Sequence, residues 1–185
     1  MNKKGFTIVE LLIVIVVIGI LAAITIVSFN GVTARARDTQ RVQDAENIVK
    51  ALEMYKVTNG VYPSANSTPN AQSWEVSTTG SAATNFLSPL VTSKVVSKIP
   101  VDPKNTADPL DLNPDWAKAN FMYFYYLYPA GTSGCDSSRG QFFVFGITRF
   151  DSVASGQPAA SSPRFKCGSG DWTYFGAWVT GGFTN

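Results

Sequence analysis

The sequence predicts an α+β fold, in which a long N-terminal helix, suited to a membrane along its first half, packs its second half on a small antiparallel β-sheet domain. Three observations predict this fold. An uncharged apolar segment runs from Leu11 to Ala34, a segment with helical periodicity follows it, and three aromatic segments of strand length lie near the C-terminus. A chain of 185 residues can form one domain with a hydrophobic core, so we expect one globular unit with a helical extension.

The apolar segment is predicted to cross a membrane as a helix. Between Glu10 and Arg35 the chain carries no charge, and at about 1.5 Å per residue this length covers the roughly 30 Å hydrocarbon layer of a bilayer. Lys3 and Lys4 precede it, and the positive-inside bias keeps them in the cytoplasm. Everything after Arg35 is therefore expected outside the cytoplasm.

A cleavable secretory signal is the alternative to a membrane helix. Gly5, the small residue that could mark a cut, lies before the apolar segment instead of after it. Glu10 also argues against a signal, because a carboxylate at the start of a lipid-exposed helix costs on the order of 2.5 kcal/mol or more without a partner. Some other group must neutralise Glu10.

The segments Lys3–Leu12 and Gly19–Ile24 read KKGFTIVELL and GILAAI. Together they resemble the class III signal of type IV pilins and pseudopilins. The resemblance implies that a prepilin peptidase cuts between Gly5 and Phe6 and methylates the new amino group of Phe6. It also implies that Glu10 meets this amino group of a neighbouring subunit and sets the register of assembly.

The resemblance further implies the type IV pilin fold and a division of the chain into four parts. They are a leader peptide, a transmembrane and assembly helix, an amphipathic continuation of that helix and a globular domain, at residues 1–5, 6–34, 35–59 and 60–185. Within the globular domain, a loop and a short helix are expected at residues 60–116 and an antiparallel sheet at residues 117–185.

Many pilins carry a proline where this chain has Val27, and that proline loosens the helix in the filament. Without it, flexibility is expected at Gly19 and Gly31, where bending costs less than at an ordinary residue. The alternative for Gly19 is that it only allows close packing of helices, as small residues do in membranes.

Beyond the membrane the sequence predicts a surface helix. Its apolar residues recur three or four positions apart, at Val42, Ala45, Ile48, Val49, Leu52 and Tyr55. Glu46 and Lys50 stand four residues apart, which predicts a favourable ion pair. The pair Asn59 and Gly60 is a typical helix stop, so the helix is expected to end near Asn59.

The rest of the globular part is predicted as one short helix and three strands. Ser88 is expected to cap the helix, which runs to Val96. The strands are expected at Phe121–Tyr128, Gln141–Thr148 and Trp172–Val179. Both faces of the first two strands are apolar, so one should cover the long helix and the other should meet a loop or a neighbouring subunit.

Cys135 and Cys167 are the only cysteines, and both lie in segments rich in Gly and Ser. If this part of the chain is outside the cell, a disulfide between them is the natural prediction, with two free thiols as the alternative. It would close a loop of about thirty residues, which typically contributes 2 to 4 kcal/mol. A C-terminal disulfide that bounds an exposed loop also resembles many pilins.

The composition favours a protein that is not an enzyme. Histidine is absent, which removes the commonest general base and metal ligand near neutral pH. The chain has no Gly-x-Ser-x-Gly motif and no phosphate-binding glycine loop. Its formal net charge is +2 with scattered basic residues, so nothing in the composition indicates a nucleic-acid partner, and a role for DNA is left undetermined.

One segment has the oxygen-rich composition that a calcium ion accepts. It contains Asp102, Asp108, Asp111, Asn113 and Asp115. The spacing fits no EF-hand loop, and the interleaved prolines are typical of ordinary turns. We therefore expect no metal and no cofactor, with calcium as the weaker alternative.

Two functions follow from the resemblance. The first is the structural subunit of a type IV pilus, which polymerises through its N-terminal helix into a surface filament for adhesion, twitching motility or DNA uptake. The second is a pseudopilin of a type II secretion-like system, which forms a short periplasmic piston. Residues 51–63 resemble the major pseudopilin, whereas the cysteine pair and the Ser- and Thr-rich residues 64–85 favour a subunit exposed on the surface.

A third function, from another class, is a monomeric membrane-anchored binding protein, which would leave Glu10 unexplained. For a pilus subunit the resemblance implies several partners: copies of itself, the prepilin peptidase, the assembly platform protein, minor pilins and, before assembly, membrane lipid. The chain would then span the inner membrane once with its C-terminal domain outside, and later join an extracellular pilus on the cell surface.

Overall fold

The computed structural model describes residues 5, 7–64, 74–77, 86–106, 120–154 and 156–185. Two helices are present in these residues, α1 (Ile8–Asn59) and α2 (Ser88–Thr92). The strands are β1 (Glu75–Val76), β2 (Tyr123–Tyr128), β3 (Phe142–Ile147), β4 (Lys166–Cys167), β5 (Gly170–Asp171) and β6 (Trp178–Phe183). The predicted architecture, a long helix packed on a small antiparallel sheet, is confirmed.

Helix α1 ends where the sequence indicated. Asn59 is its last residue, and Gly60 follows in the left-handed conformation, with φ of 78°. The backbone N–H of Gly60 donates to the carbonyl oxygen of Lys56 at 2.7 Å, which satisfies one of the last carbonyl groups of the helix. Glycine suits this position because it has no Cβ to oppose a positive φ.

The two halves of α1 have different surroundings. Every described side chain from Ile8 to Val32 is exposed, and Ile8 itself is 82% exposed. The second half buries one stripe with helical spacing, which consists of Asp38, Arg41, Ala45, Ile48, Ala51 and Leu52. With 52 residues the helix is about 78 Å long, so the domain packs on only part of it.

The main sheet has four strands in the order β1-β2-β3-β6, and all neighbours are antiparallel. Strand β3 is central and pairs along its whole length with both β2 and β6. Strands β4 and β5 form a separate small hairpin. The long helix and this hairpin lie against opposite faces of the main sheet.

Each face of the sheet has its own hydrophobic core, which explains the apolar residues on both faces of β2 and β3. On one face Tyr125, Phe143 and Phe145 pack against the buried stripe of α1. On the other face Phe124 and Phe142 pack against Phe183 of the last strand. Three side chains from outside the four strands complete this core, those of Trp74, Cys135 and Trp172. The sequence predicted that this second face meets either a loop or a neighbouring subunit. The structure shows that loops of the same chain cover it.

The third predicted strand was misplaced. The segment from Trp172 begins with a 3₁₀ turn at Thr173–Phe175, and the strand is Trp178–Phe183. Gly181 and Gly182 obscured it in the sequence, because glycine usually interrupts strands. In the structure a Cβ at Gly181 would lie 2.6 Å from the carbonyl oxygen of Phe143 and 2.6 Å from the ring of Phe165. Close packing therefore requires glycine at this position.

The short helix α2 is also shorter than predicted. It stops at Thr92 instead of Val96, and its N-cap is Leu87, not Ser88. Leu87 is buried and its backbone N–H donates to Glu75 Oε2 at 3.1 Å, a tertiary contact that fixes where the helix begins. Lys94, with φ of 60°, cannot continue the helix.

Candidate assembly site

Within the described residues, α1 is the one helix long and apolar enough to cross a membrane. Length and composition alone support this assignment. Because the domain leaves Ile8 to Val32 uncovered, this half of α1 must be covered by something outside the domain. It is therefore the candidate assembly site of the chain.

The N-terminal end of α1 forms a capping box between Thr7 and Glu10. The backbone N–H and the hydroxyl of Thr7 both donate to Glu10 Oε2 at 2.8 Å, and the Glu10 N–H donates back to Thr7 Oγ1 at 3.3 Å. Such a reciprocal pair satisfies donors that the first turn of a helix leaves without partners.

Thr7 is a partner of Glu10 that the sequence reasoning missed. The signal was present, since Thr7-x-x-Glu10 directly before an apolar run is the pattern of a capping box. The donors of Thr7 are neutral, so they satisfy hydrogen bonds of the carboxylate without cancelling its charge. No cation forms an ion pair with Glu10 in the described part of the chain.

The structure describes one side of the predicted cleavage bond. Gly5 is exposed and precedes the N-cap Thr7. Phe6, the predicted methylation site, and residues 1–4 lie outside the described residues. Cleavage after Gly5 and methylation of Phe6 therefore stay predictions.

The predicted points of flexibility lie within a continuous helix. Helix α1 continues through Gly19, Val27 and Gly31. At both glycines a Cβ would have no neighbouring atom within 4 Å, so their backbone is open to a packed neighbour. This geometry suits close helix packing, and flexibility at Gly19 and Gly31 stays a prediction.

A buried arginine holds the domain on α1 at its edge nearest the apolar half. Arg41 has no exposed surface. Its Nε donates to Asp102 Oδ2 at 2.7 Å, and its Nη1 donates to Asp38 Oδ1 at 2.6 Å and to Asp151 Oδ2 at 2.9 Å. One guanidinium thus joins the helix to two loops of the domain.

The rest of this cluster is also satisfied. Asp38 accepts the backbone N–H groups of Asp151 and Ser152, each at 2.8 Å. Arg37 Nε donates to Asp151 Oδ2 at 2.8 Å, and Lys104 pairs with the other oxygen of Asp151. The sequence pattern did not predict Asp38 and Arg41 in the buried stripe, because charged residues on a helix are usually exposed.

Asp102 was one of the candidate calcium ligands, and its oxygens accept hydrogen bonds within the chain. Besides the bond from Arg41 to Oδ2, Oδ1 accepts from Arg41 Nη2 at 3.1 Å and from the Lys104 backbone N–H at 2.8 Å. The other candidates, Asp108, Asp111 and Asp115, lie outside the described residues. In the described part of the chain no group of three His, Cys, Asp or Glu side chains is arranged to hold a metal ion.

Cys135 and Cys167 form the predicted disulfide, with their Cα atoms 5.0 Å apart. It joins the segment between β2 and β3 to the β4–β5 hairpin. Beside it, the Ser169 N–H and hydroxyl both donate to the Ser133 carbonyl oxygen, at 2.8 and 2.9 Å. Gly168 is required here, because its φ is 55° and a Cβ would lie 2.5 Å from the Gly134 carbonyl oxygen.

The N-terminal end of the chain matches a known sequence family. Residues 1–26 match the family model described as the prokaryotic N-terminal methylation motif. This match covers Gly5, Glu10 and the first part of α1. The N-terminal part of the chain is therefore similar to that of pilins and pseudopilins, which are structural subunits rather than enzymes.

The relatives come from both branches of this class. The type IV major pilin protein PilE of Neisseria gonorrhoeae is 37% identical over 71 residues, which cover 38% of this chain and 42% of that protein. The type II secretion system core protein G of Escherichia coli (strain K12) is 37% identical over 65 residues, 35% of this chain and 45% of that protein. The type IV wide pilus major component PilA4 of Thermus thermophilus is 46% identical over 63 residues, 34% of this chain and 48% of that protein.

The chain spans less than half the length of these curated relatives. No solved structure matches it. In these three cases the similar part is at most 71 residues long. The relatives with this similar part include a major pilin and a pseudopilin.

Removal of Arg41 tests the role of the buried cluster. Arg41→Met leaves three carboxylates without their shared cation, so the free energy of unfolding should fall by about 3 to 5 kcal/mol. Arg35→Met is the matched control, because Arg35 is exposed and forms no ion pair with a described residue, and it should change stability by less than about 0.5 kcal/mol. Denaturant unfolding of the full chain in detergent measures both, and equal effects of the two substitutions would contradict the assignment.

The same cluster predicts a pH dependence. Burial alone would raise the pKa of Asp151, but hydrogen bonds from Arg37, Lys104 and Arg41 outweigh it and hold this pKa well below the ordinary 3.8. The ionised carboxylate therefore stabilises the fold above about pH 4, and this contribution is lost as pH falls further toward the lowered pKa. Unfolding midpoints measured between about pH 7 and pH 2 should fall less steeply below pH 4 in Asp151→Asn than in the unchanged chain. Parallel profiles would show that Asp151 does not carry this dependence.

Proposed function

We propose that this chain is the structural subunit of a type IV pilus, made as a membrane-inserted precursor, cut after Gly5 and polymerised through α1 into a surface filament. The observation that carries the proposal is the uncovered half of α1. From Ile8 to Val32 its described side chains are exposed on all sides, and they are apolar apart from Glu10 and a few small polar residues. Lipid covers such a surface before assembly, and packed copies of the same helix cover it afterwards.

Glu10 supports a polymer over a simple anchor. An anchor gains nothing from a carboxylate at membrane depth, which costs on the order of 2.5 kcal/mol or more. The hydrogen bonds from Thr7 reduce this cost but leave the negative charge. Cleavage after Gly5 would create a terminal amine, and in a parallel bundle of helices the amine of one copy can neutralise Glu10 of the next.

The disulfide supports a domain outside the cytoplasm. Disulfides persist in oxidising compartments and are rare in the cytosol. The Cys135–Cys167 bond lies in the domain that follows Arg35, on the side of the membrane opposite Lys3 and Lys4. In this topology the prepilin peptidase, the assembly platform protein and minor pilins are the further partners, and the filament would serve adhesion, twitching motility or DNA uptake.

A pseudopilin is the second candidate, and one observation favours it. The chain is as similar to a type II secretion core protein G as to a major pilin PilE, at 37% identity in each case. A pseudopilin would use the same helix in a short filament that stays in the periplasm. Location of the assembled protein distinguishes the two, since only a pilus subunit is abundant in material sheared from intact cells.

A monomeric membrane-anchored binding protein is the third candidate. It would use the same apolar helix, but it offers no cation for Glu10. A chain that stays in the membrane as a monomer and forms no filament of any length would support this candidate.

Substitutions of Glu10 test the proposal. Glutamine keeps an oxygen that can accept from Thr7, as capping boxes allow, but it removes the charge. Both Glu10→Ala and Glu10→Gln should lower the protein in the sheared fraction at least about tenfold, while the membrane fraction keeps it, because a buried carboxylate and amine lose their mutual stabilisation.

Glu46→Gln is the matched control for this experiment. Glu46 is an exposed carboxylate on the same helix, outside the apolar half, and its loss should leave the sheared fraction unchanged. Immunoblots of sheared and membrane fractions measure all variants. Normal filaments from Glu10→Gln would show that the charge of Glu10 is not needed.

A further inference from the structure

A groove of about 500 Å³ lies between the second half of α1 and the segment 96–101. Its helix wall carries three polar side chains, those of Gln40, Asp44 and Asn47, beside the apolar Ile48 and Ala51. The opposite wall is mostly apolar and includes Val96, Ile99 and Val101. A groove that combines one acidic group with a mostly apolar lining suits a side chain with an apolar stem and a cationic end.

Asp44 is the acidic group in this groove, and its charge has no cationic partner among the described residues. Its Oδ2 accepts a hydrogen bond from the Tyr123 hydroxyl at 3.1 Å. Lys98 lies at the rim of the same groove but forms no ion pair with Asp44. Burial raises the pKa of the Asp44 carboxyl above its ordinary value, although the bond from Tyr123 opposes this change, so a cation would be favourable here.

Lys50 is an exposed cation on the same helix without an acidic partner in the described structure. The ion pair predicted between Glu46 and Lys50 does not form, and both side chains extend into solvent. Exposed pairs at this spacing gain only a few tenths of a kcal/mol, which does not hold two long side chains together. Lys50 therefore remains available to another molecule.

Asp44 and Lys50 of one chain cannot meet. They are six residues apart, which in an α-helix places them about 9 Å apart along the axis and about 120° apart around it. Two parallel copies of α1 shifted by this length, however, bring Lys50 of one copy level with Asp44 of the other.

We propose that the groove around Asp44 binds Lys50 of a second copy of this chain, packed parallel to α1 and shifted by about six residues. The lysine stem lies along the apolar wall and its ammonium group meets the carboxylate. This inference rests on the proposed filament function, and it adds the contact that fixes the stagger of neighbouring copies.

The position of Glu10 agrees with this stagger. Forty residues separate Glu10 from Lys50, which is about eleven turns and 40°, so both lie on nearly the same side of α1. Consider the copy that offers Asp44. If this copy begins at Phe6, its terminal amine lies about two residues, or 3 Å along the axis, from the level of Glu10 in the copy that carries Lys50. One neighbour could therefore neutralise Glu10 and offer Asp44 to Lys50.

Arg35 is the other exposed cation on α1 that could be considered, and it fits less well. Pairing Arg35 with Asp44 requires a shift of nine residues in the opposite direction. In that arrangement the Phe6 amine of the copy that offers Asp44 would lie about 20 Å along the axis from Glu10 of the copy that carries Arg35. Lys50 is the partner that satisfies both charges.

The pairing generates an open array. Each copy uses Asp44 toward one neighbour and Lys50 toward another, so the two surfaces of the contact differ. Such a contact continues from copy to copy and forms a helical filament unless the rotation happens to close a ring. An isolated dimer would leave one Asp44 and one Lys50 unpaired.

Carbodiimide cross-linking of sheared filaments tests this contact directly. The reagent activates a carboxyl group, which then forms an amide with a neighbouring amine and loses the equivalent of one water. Mass spectrometry should find a peptide pair joined from Asp44 to Lys50, and in filaments mixed from isotopically light and heavy chains the link should connect the two. Filaments that cross-link at other sites but not here, or that join Asp44 to Lys98, would overturn the proposal.

Charge reversal gives a second test. Asp44→Lys and Lys50→Asp should each lower the sheared filament about tenfold or more, because each places like charges in contact, and the double variant should recover it. Lys50 is exposed, so Lys50→Asp should leave folding intact. As the matched control, Lys98→Asp combined with Asp44→Lys should not recover filaments.

The outcomes separate this inference from the proposed function. If the unchanged chain forms no filament, the proposed function fails and the contact fails with it. If the unchanged chain forms filaments and neither single reversal affects them, only the pairing of Asp44 with Lys50 is wrong.

Discussion

Packing of the domain on only the second half of α1 is the constraint on which the rest of the structure depends. The buried stripe begins at Asp38 and continues to Leu52, where the sheet supplies aromatic partners. From Ile8 to Val32, about 25 residues or 38 Å, the described side chains of the helix have no cover from the domain. An apolar surface of that size is not stable in water, so this half of the helix needs a cover from outside the domain, which the proposed function assigns to lipid and then to other copies of the chain.

Polar contacts fix the two ends of the packed region. At the end near the uncovered half, Arg41 joins α1 to Asp102 and Asp151. At the far end, the Tyr62 hydroxyl donates to Glu53 at 2.6 Å and to the carbonyl oxygen of Phe183 in the last strand. Hydrogen bonds of this kind add direction to apolar packing, so the helix and the domain form one unit that a filament can repeat.

The sequence predicted the features that depend on local pattern. The end of α1 at Asn59, the first two main strands and the disulfide all follow from periodicity, composition or spacing. The features it missed depend on contacts between distant segments. Arg41 is buried because two loops bring Asp102 and Asp151 to it, and β6 tolerates Gly181 because rings from elsewhere fill the space that a side chain would need. The capping box of Thr7 and Glu10 is an exception, because it follows a local pattern, Thr-x-x-Glu before an apolar run, and was missed all the same.

The central claim is that the uncovered half of α1 is exchanged from lipid into a surface filament after cleavage at Gly5. Mass spectrometry of material sheared from intact cells tests this most directly. The account predicts abundant chain that begins at Phe6, with a methylated amino group. Sheared material in which the chain still begins at Met1, or in which the chain is absent, would contradict it.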